Sequence, residues 1–400
     1  MTLNFGRHLM AIPGPSVIPD RVLNAMHQPS PNIYEGALID LALSLYPDLK
    51  TVARTKGEAV IYIANGHGAW EAAITNTLSR GDKVLVLGTG RFAIGWGEWG
   101  RKTGIVPTVI NFGMSDAADP AKLEQALRAD KAHEYKAVLL TQTDTASSVK
   151  NDIAALRKAI DAADHPALFM VDCIASLGCE RFEMDAWGVD LMVSGCQKGL
   201  MTPPGLSFLF ANERALEARK TADLATSYWD WMPRLNPEGI YQNFAGTSPT
   251  HHLFGLREAL DMLVHEEGVE AAWDRQELFA HAIWAAVNAW GEDGGDLRLN
   301  VQNPASRSRA VTCILTSNGN GTRIREWCEK TAGLTLGIGI GAAVQGSPEW
   351  HNNFRIGHMG HLNVPMVMGI LGTIDSALKT LDIPHGSNAL NAASQVIAKG

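Results

Sequence analysis

Lys198 follows a short apolar run, Leu191, Met192 and Val193, that closes on Ser194, Gly195, Cys196 and Gln197. Buried strands read as apolar runs ended by turn residues. A lysine just past such a strand, beside small neighbours, is either a surface residue or an amine set up for Schiff-base chemistry with a carbonyl. Asp172 ends another apolar run, residues 167–171. That places a carboxylate at the carboxyl end of a sheet, where open α/β folds bind ligands. A helix cap is the alternative, yet Cys173, Ile174, Ala175 and Ser176 make a weak helix start. One strand before Lys198, an acid here suits a protonated heteroaromatic nitrogen.

Three further constellations bear on that reading. Gly66, His67 and Gly68 lie between the apolar run 59–63 and a helical pattern at 69–79. Glycines at a strand-to-helix turn expose N–H groups, and a helix N-terminus attracts anions, so this is a phosphate loop or a plain glycine turn. Gly88, Gly90 and Ala93 match G-x-G-x-x-A after the run 83–87, so a nucleotide-binding turn must be weighed. Phe92 would crowd a pyrophosphate there, and no acid ends the next strand. Phe92 reads instead as an aromatic plate for a planar cofactor, or as core. Residues 141–148 cluster hydroxyls and an amide for a phenolic oxygen, or form a polar loop whose Asn151 or Asp152 caps the next helix. Arg355, in an apolar, glycine-flanked stretch, needs an anion: a structural carboxylate or a substrate one.

These residues need a scaffold. Apolar runs at 59–63, 83–87, 108–112, 137–141, 167–171, 191–194 and 206–210 alternate with helical patterns at 69–79, 92–103, 120–129 and 152–163. Such alternation predicts an α/β fold with a mostly parallel sheet covered on both faces. Residues 16–265 form the expected large domain. Residues 1–15 and 266–400, with a long helix at 269–290, form the expected smaller α+β domain. The composition, 46% hydrophobic and 19% charged, is globular, and the formal charge of −8 argues against nucleic acid or anionic lipid. Five scattered cysteines suit a reducing cytoplasm. The N-terminus lacks a signal-peptide core, and no apolar run reaches the roughly 20 residues of a membrane span. No cysteine pair suggests zinc, and the acidic turn 291–296 lacks calcium-loop spacing, so no metal site is expected.

Together the residues resemble the class V, fold-type I pyridoxal-phosphate aminotransferases, nearest to the alanine/serine–glyoxylate (serine–pyruvate) branch. The resemblance runs from Pro13, Gly14 and Pro15 through Gly66 to Glu71, Asp144 to Ser147, Val171 and Asp172, and Ser194 to Lys198, ending at Arg355 to His358. It implies pyridoxal 5′-phosphate held by Lys198, with Asp172 on the pyridine nitrogen. It places Phe92 against the ring, Thr145 on the phenolic oxygen, and Gly66, His67, Gly68 and Gln197 on the phosphate. It assigns Thr247 to the phosphate of a partner subunit in a homodimer, and Arg355 to the substrate α-carboxylate. Tyr34 stands where many relatives carry an Asp-His-Arg segment and is read as a pocket residue, with core packing as the alternative. Gln197, where desulfurases carry histidine, makes Cys196 a packing residue. Gly95 replaces a usual arginine, while Asp144 and Phe244 look closer to pyridoxamine–pyruvate transaminase. The implied activity is ping-pong transfer of an amino group from serine, alanine or aspartate to glyoxylate or pyruvate. Pyridoxamine–pyruvate transamination and desulfuration are the alternatives.

Overall fold

The structure is a computed structural model that describes residues 3–341 and 343–400. The chain opens with strand β1 (Leu9–Ala11) and helices α1 (Asp20–Met26) and α2 (Ala37–Ala53). It then alternates through β2 (Glu58–Ile63), α3 (Gly66–Thr77), β3 (Lys83–Gly88), α4 (Arg91–Thr103), β4 (Val106–Asn111), α5 (Pro120–Ala129) and β5 (Tyr135–Thr141). A small hairpin, β6 (Thr143–Asp144) and β7 (Val149–Lys150), precedes α6 (Ile153–Ala162), β8 (Leu168–Asp172), β9 (Leu191–Gly195) and β10 (Leu206–Ala211). Short helices α7 (Glu213–Arg219), α8 (Met232–Leu235) and α9 (Ile240–Asn243) lead to α10 (Thr250–Leu260) and α11 (Val269–Trp290). Last come β11 (Arg298–Leu299), β12 (Val311–Leu315), α12 (Asn320–Trp327), β13 (Leu334–Ile338), β14 (Asn353–Gly357), α13 (Val364–Thr380) and α14 (Ala389–Ile397).

Seven strands pair in the order β2-β10-β9-β8-β5-β3-β4. Only β10 runs against its neighbours, so the sheet is mostly parallel as the alternation predicts. Strands buried on both faces need no polar alternation, and β8, β9 and β10 are buried at every residue. A second sheet, β1-β13-β14-β12-β11, carries the C-terminal third. One apolar core lies under α2, α5, α6 and α10, another under α3 and α4, and a third joins α11, α13 and α14 to the second sheet. The N-terminal segment joins that second sheet, because β1 pairs in parallel with β13 from Leu9 opposite Leu334.

Some element bounds differ from the sequence reading for local reasons. Helix α3 starts at Gly66 rather than Ala69, because the Asn65 side chain caps it by accepting from His67 N and Gly68 N. Helix α2 was not anticipated. Its buried Leu38, Ala42, Leu45, Leu49 and Val52 follow a helical period, while Pro47 faces solvent. The acidic turn is not wholly solvated: Asp296 accepts from Ser317 N at 2.9 Å and Asn320 Nδ2 at 2.9 Å.

The two capping candidates before α6 divide their roles. Asp152 caps the helix through Ala155 N at 2.9 Å. Asn151 instead accepts from Ala118 N at 2.8 Å and donates to Thr89 Oγ1 at 3.0 Å and Thr141 O at 2.8 Å. Asn151→Ala strands buried partners and is expected to cost about 3 kcal/mol. Asp152→Ala removes an exposed cap worth about 1 kcal/mol. Urea denaturation of both variants checks that order; equal losses would contradict it.

Candidate active site

A cavity of about 170 Å³ lies at the strand ends of the seven-stranded sheet. Asn65, Gly66, His67, Trp70, Phe92, Thr143, Thr145, Asp172, Gln197 and Lys198 contribute to its wall, with Ile174 and Ala175. Thus Lys198, Asp172, Gly66, His67, Phe92, Thr145 and Gln197, all singled out from sequence, are brought together. Gly68 lies just behind the wall. A Cβ there would sit 2.7 Å from Ala64 Cβ and 2.9 Å from Trp229 Cη2, so packing alone demands glycine.

Asp172 ends β8 and is buried. Its Oδ1 accepts from Ile174 N at 2.7 Å and its Oδ2 from Trp70 Nε1 at 2.8 Å. Burial nevertheless pushes its carboxyl up to about 7. Lys198 follows β9, and its Nζ donates to Pro13 O in the N-terminal segment. Burial, reinforced by Arg355, pushes its ammonium down to about 8. Ser16 anchors the same loop, with its N donating to Gln197 O at 2.9 Å and its Oγ to Lys198 O at 2.7 Å.

Arg355, on β14, does not line the cavity itself. Its Nη1 donates to Thr145 O at 2.7 Å and its Nε to Ile338 O at 2.8 Å. Of the two anions weighed from sequence, the structural carboxylate is absent: among the described residues no salt bridge engages this buried guanidinium. Carbonyls hold it in place and leave its charge uncompensated, which suits an incoming carboxylate.

The rival turn at Gly88 to Ala93 is already filled. Asp144 Oδ2 accepts from Phe92 N and Ala93 N, both at 2.8 Å, at the N-terminus of α4. A Cβ on Gly90 would lie 2.3 Å from Asp144 Cγ. The second glycine of that pattern therefore admits a carboxylate of the chain itself, and the anion position of the helix is taken. At α3, Asn65 Oδ1 accepts from His67 N at 3.1 Å and Gly68 N at 3.4 Å. A neutral amide cap, unlike Asp144, leaves that N-terminus electropositive.

Two residues are not brought in. Tyr34 is 75% exposed, outside the cavity and outside any core. Thr247 is also exposed. Conversely, sequence reasoning gave no individual role to Trp70 or Asn65, and took Thr143 only as one of the hydroxyls clustered at 141–148. Asn65 was legible as a cap before two glycines. Trp70 stands four residues after Gly66, one helical turn on, which puts it beside the same strand ends. Cys196 is inert: it is buried, its Sγ donates to Pro203 O at 3.0 Å, and burial pushes its thiol up to about 11. Elsewhere, ligand atoms of Asp48, Asp261 and His265 converge within 4.8 Å. Arg257 donates to both carboxylates, so a guanidinium holds that position.

The arrangement suits a flat anionic cofactor. The cavity has a carboxylate at its floor, an aromatic on one side, an amine at its edge and a helix N-terminus at one end. Gln197 adds a buried Oε1 without a hydrogen-bond partner. Residues 48–346 match the family described as Aminotransferase class-V. The chain is 38% identical to the serine–glyoxylate aminotransferase of Methylorubrum extorquens, across 97% of this chain and 96% of that one. It is 35% identical to the L-aspartate–glyoxylate aminotransferase of Paracoccus denitrificans, across 96% and 94%. Among solved structures, ureidoglycine–glyoxylate aminotransferase from Bacillus subtilis superposes with a TM-score of 0.86 at 23% identity, across 99% of both chains. Pyridoxamine–pyruvate aminotransferase from Mesorhizobium loti gives 0.86 at 24%, across 100% of both.

The buried carboxyl makes stability depend on pH. Between about pH 4 and 7, cofactor-free folded protein keeps a proton on Asp172 that the unfolded chain gives up, so this contribution is lost as pH rises through 7. Urea titrations from pH 4.5 to 7.5 should show wild type losing up to ~1.4 kcal/mol per pH unit relative to Asp172→Asn. Parallel profiles would refute the assignment.

Proposed function

The chain belongs to the class-V aminotransferases, and we propose that it uses pyridoxal 5′-phosphate to move an amino group from a small L-amino acid to glyoxylate or pyruvate. The observation that carries this reading is the buried Lys198, whose lowered pKa makes an amine available near neutral pH, in one cavity with Asp172. Bound pyridoxal phosphate supplies a ring that draws charge from the substrate α-carbon.

The residues divide the remaining tasks. Asp172, fixed by Trp70 and Ile174, holds negative charge for the ring nitrogen. Gly66, His67 and Gly68 would present the α3 N-terminus to the phosphate, and Gln197 would offer its side-chain amide from the turn after β9. Phe92 covers the ring face, and Thr145 offers its hydroxyl to the phenolic oxygen. Arg355 takes the substrate α-carboxylate. Lys198 would move the substrate's α-proton, with its neutral form as the base. The substrate then leaves as a keto acid, and glyoxylate or pyruvate takes the amino group in the reverse order.

Serine, alanine and aspartate are the proposed donors, in keeping with the names of the relatives. Sulfur transfer is disfavoured by the buried, hydrogen-bonded Cys196. The exposed Tyr34 and Thr247 suit a homodimer in which they complete the site of a second copy. Five buried, unpaired cysteines favour a reducing cytoplasm. No helix among the described residues is long and apolar enough to cross a membrane. We read residues 16–265 as the cofactor-binding domain and 1–15 with 266–400 as the smaller one.

Purified protein should carry a visible absorption band that acid releases as pyridoxal phosphate. Lys198→Ala should lose at least ~10³-fold in turnover, the scale set by removing a group that acts as both nucleophile and base. Parental turnover by Lys198→Ala would end the proposal. Single half-reactions with serine, alanine, aspartate and pyridoxamine, each read as loss of the band, rank the donors.

A further inference from the structure

Asp144 touches neither the substrate arginine nor the reactive amine, yet it is fully buried. Both of its oxygens accept. Oδ2 takes Phe92 N and Ala93 N at 2.8 Å, and Oδ1 takes Ala146 N at 2.9 Å. No donor role is left for it in this geometry. A carboxylate at a helix N-terminus is favoured by the helix dipole and by charge-assisted hydrogen bonds. Burial pushes its pKa up, and the backbone N–H groups oppose that shift.

The bonds join two walls of one cavity. On one side lies the first turn of α4, which carries Phe92. On the other lies the turn between β6 and β7, which carries Thr145. The same turn is tied in three more directions. Thr145 O accepts from Arg355 Nη1 at 2.7 Å, Ser147 Oγ donates to Thr89 O at 2.9 Å, and Ser147 O accepts from Asn300 Nδ2 at 2.8 Å. Gly90 makes the approach feasible, since its backbone is extended at φ 169° and a side chain there would enter the carboxylate.

We propose that Asp144 is a positioning residue for the cofactor ring: it fixes the gap between Phe92 and Thr145, and through Thr145 the placement of Arg355. The inference rests on the proposed transaminase reading for its functional part. Its structural part, the clamp itself, stands without the cofactor.

Two variants attack the clamp from opposite sides. Asp144→Asn keeps the shape but replaces one acceptor oxygen with an N–H donor. Gly90→Ala keeps the carboxylate and removes the space it occupies. Asp152→Asn, at the equivalent cap of α6, is the control. In cofactor-free protein, hydrogen exchange at the Phe92 and Ala93 amides should accelerate at least ~10-fold in both clamp variants, as expected for loss of a local hydrogen bond. Amides of α13 should not change. In reconstituted protein, both should raise the dissociation constant for pyridoxal phosphate at least ~10-fold and shift the visible circular dichroism or the pKa of the visible band. About 1.4 kcal/mol corresponds to that factor. Asp152→Asn should leave these cofactor readouts within twofold of wild type. Unchanged exchange at Phe92 and Ala93 overturns the clamp. Faster exchange with unaltered spectrum and cofactor affinity overturns its functional role. A wild-type protein without any visible band defeats the transaminase reading, while the exchange result still judges the clamp. If Asp144→Asn does not fold, Gly90→Ala carries the same comparison.

Discussion

The structure is organised around four buried ionisable groups that do not pair with one another by contact. Lys198, Arg355, Asp172 and Asp144 are all buried, and no salt bridge among the described residues joins any two of them. Charge in a low dielectric is costly unless hydrogen-bonded or compensated. Here most of the bonding comes from backbone: Pro13 O for the amine, Thr145 O and Ile338 O for the guanidinium, and N–H groups for both acids. The charges therefore remain available. Burial brings both groups close to neutrality, the amine to about 8 and the Asp172 carboxyl to about 7.

That arrangement explains why two sheets are needed. The seven-stranded sheet delivers Asp172 and Lys198 at neighbouring strand ends. The guanidinium comes from another element, yet it lies close enough to help lower the lysine's pKa. It comes from β14, whose neighbour β13 holds the N-terminal strand. The turn after β6 is the coupling between them. Its carbonyl at Thr145 meets Arg355, and its backbone at Ser148 accepts from Ser308 N at 3.0 Å.

Much of this was legible in residue order. The parallel sheet followed from alternating apolar runs. Lys198 and Asp172 announced themselves because strand-end positions are readable and their chemistry is distinctive. Phe92 and Thr145, singled out in the same reading, line the same cavity. The G-x-G-x-x-A stretch misdirects, because glycine marks close approach without saying what approaches; here it is Asp144, fifty-four residues on from Gly90. Arg355 illustrates the converse limit. Its burial and its need for a partner were legible, but the carbonyl groups that hold it depend on tertiary folding. Asn65 and Trp70 carried ordinary local roles, cap and core, and only the assembled wall shows them facing the cavity. Tyr34 and Thr247 lie at the surface, where one chain alone does not define their surroundings.

The N-terminal strand has a consequence for how the protein is made. Residue 9 pairs with residue 334, and Pro13 and Ser16 close over the loop of Lys198. During synthesis the first of these segments leaves the ribosome long before the last exists. The large sheet, whose strands end at residue 211, can assemble while the amine still stands in water. The strand that leads into this cover is held by residues more than three hundred positions on, a closure over most of the chain's length. The nascent protein thus possesses its lysine well before it possesses a base.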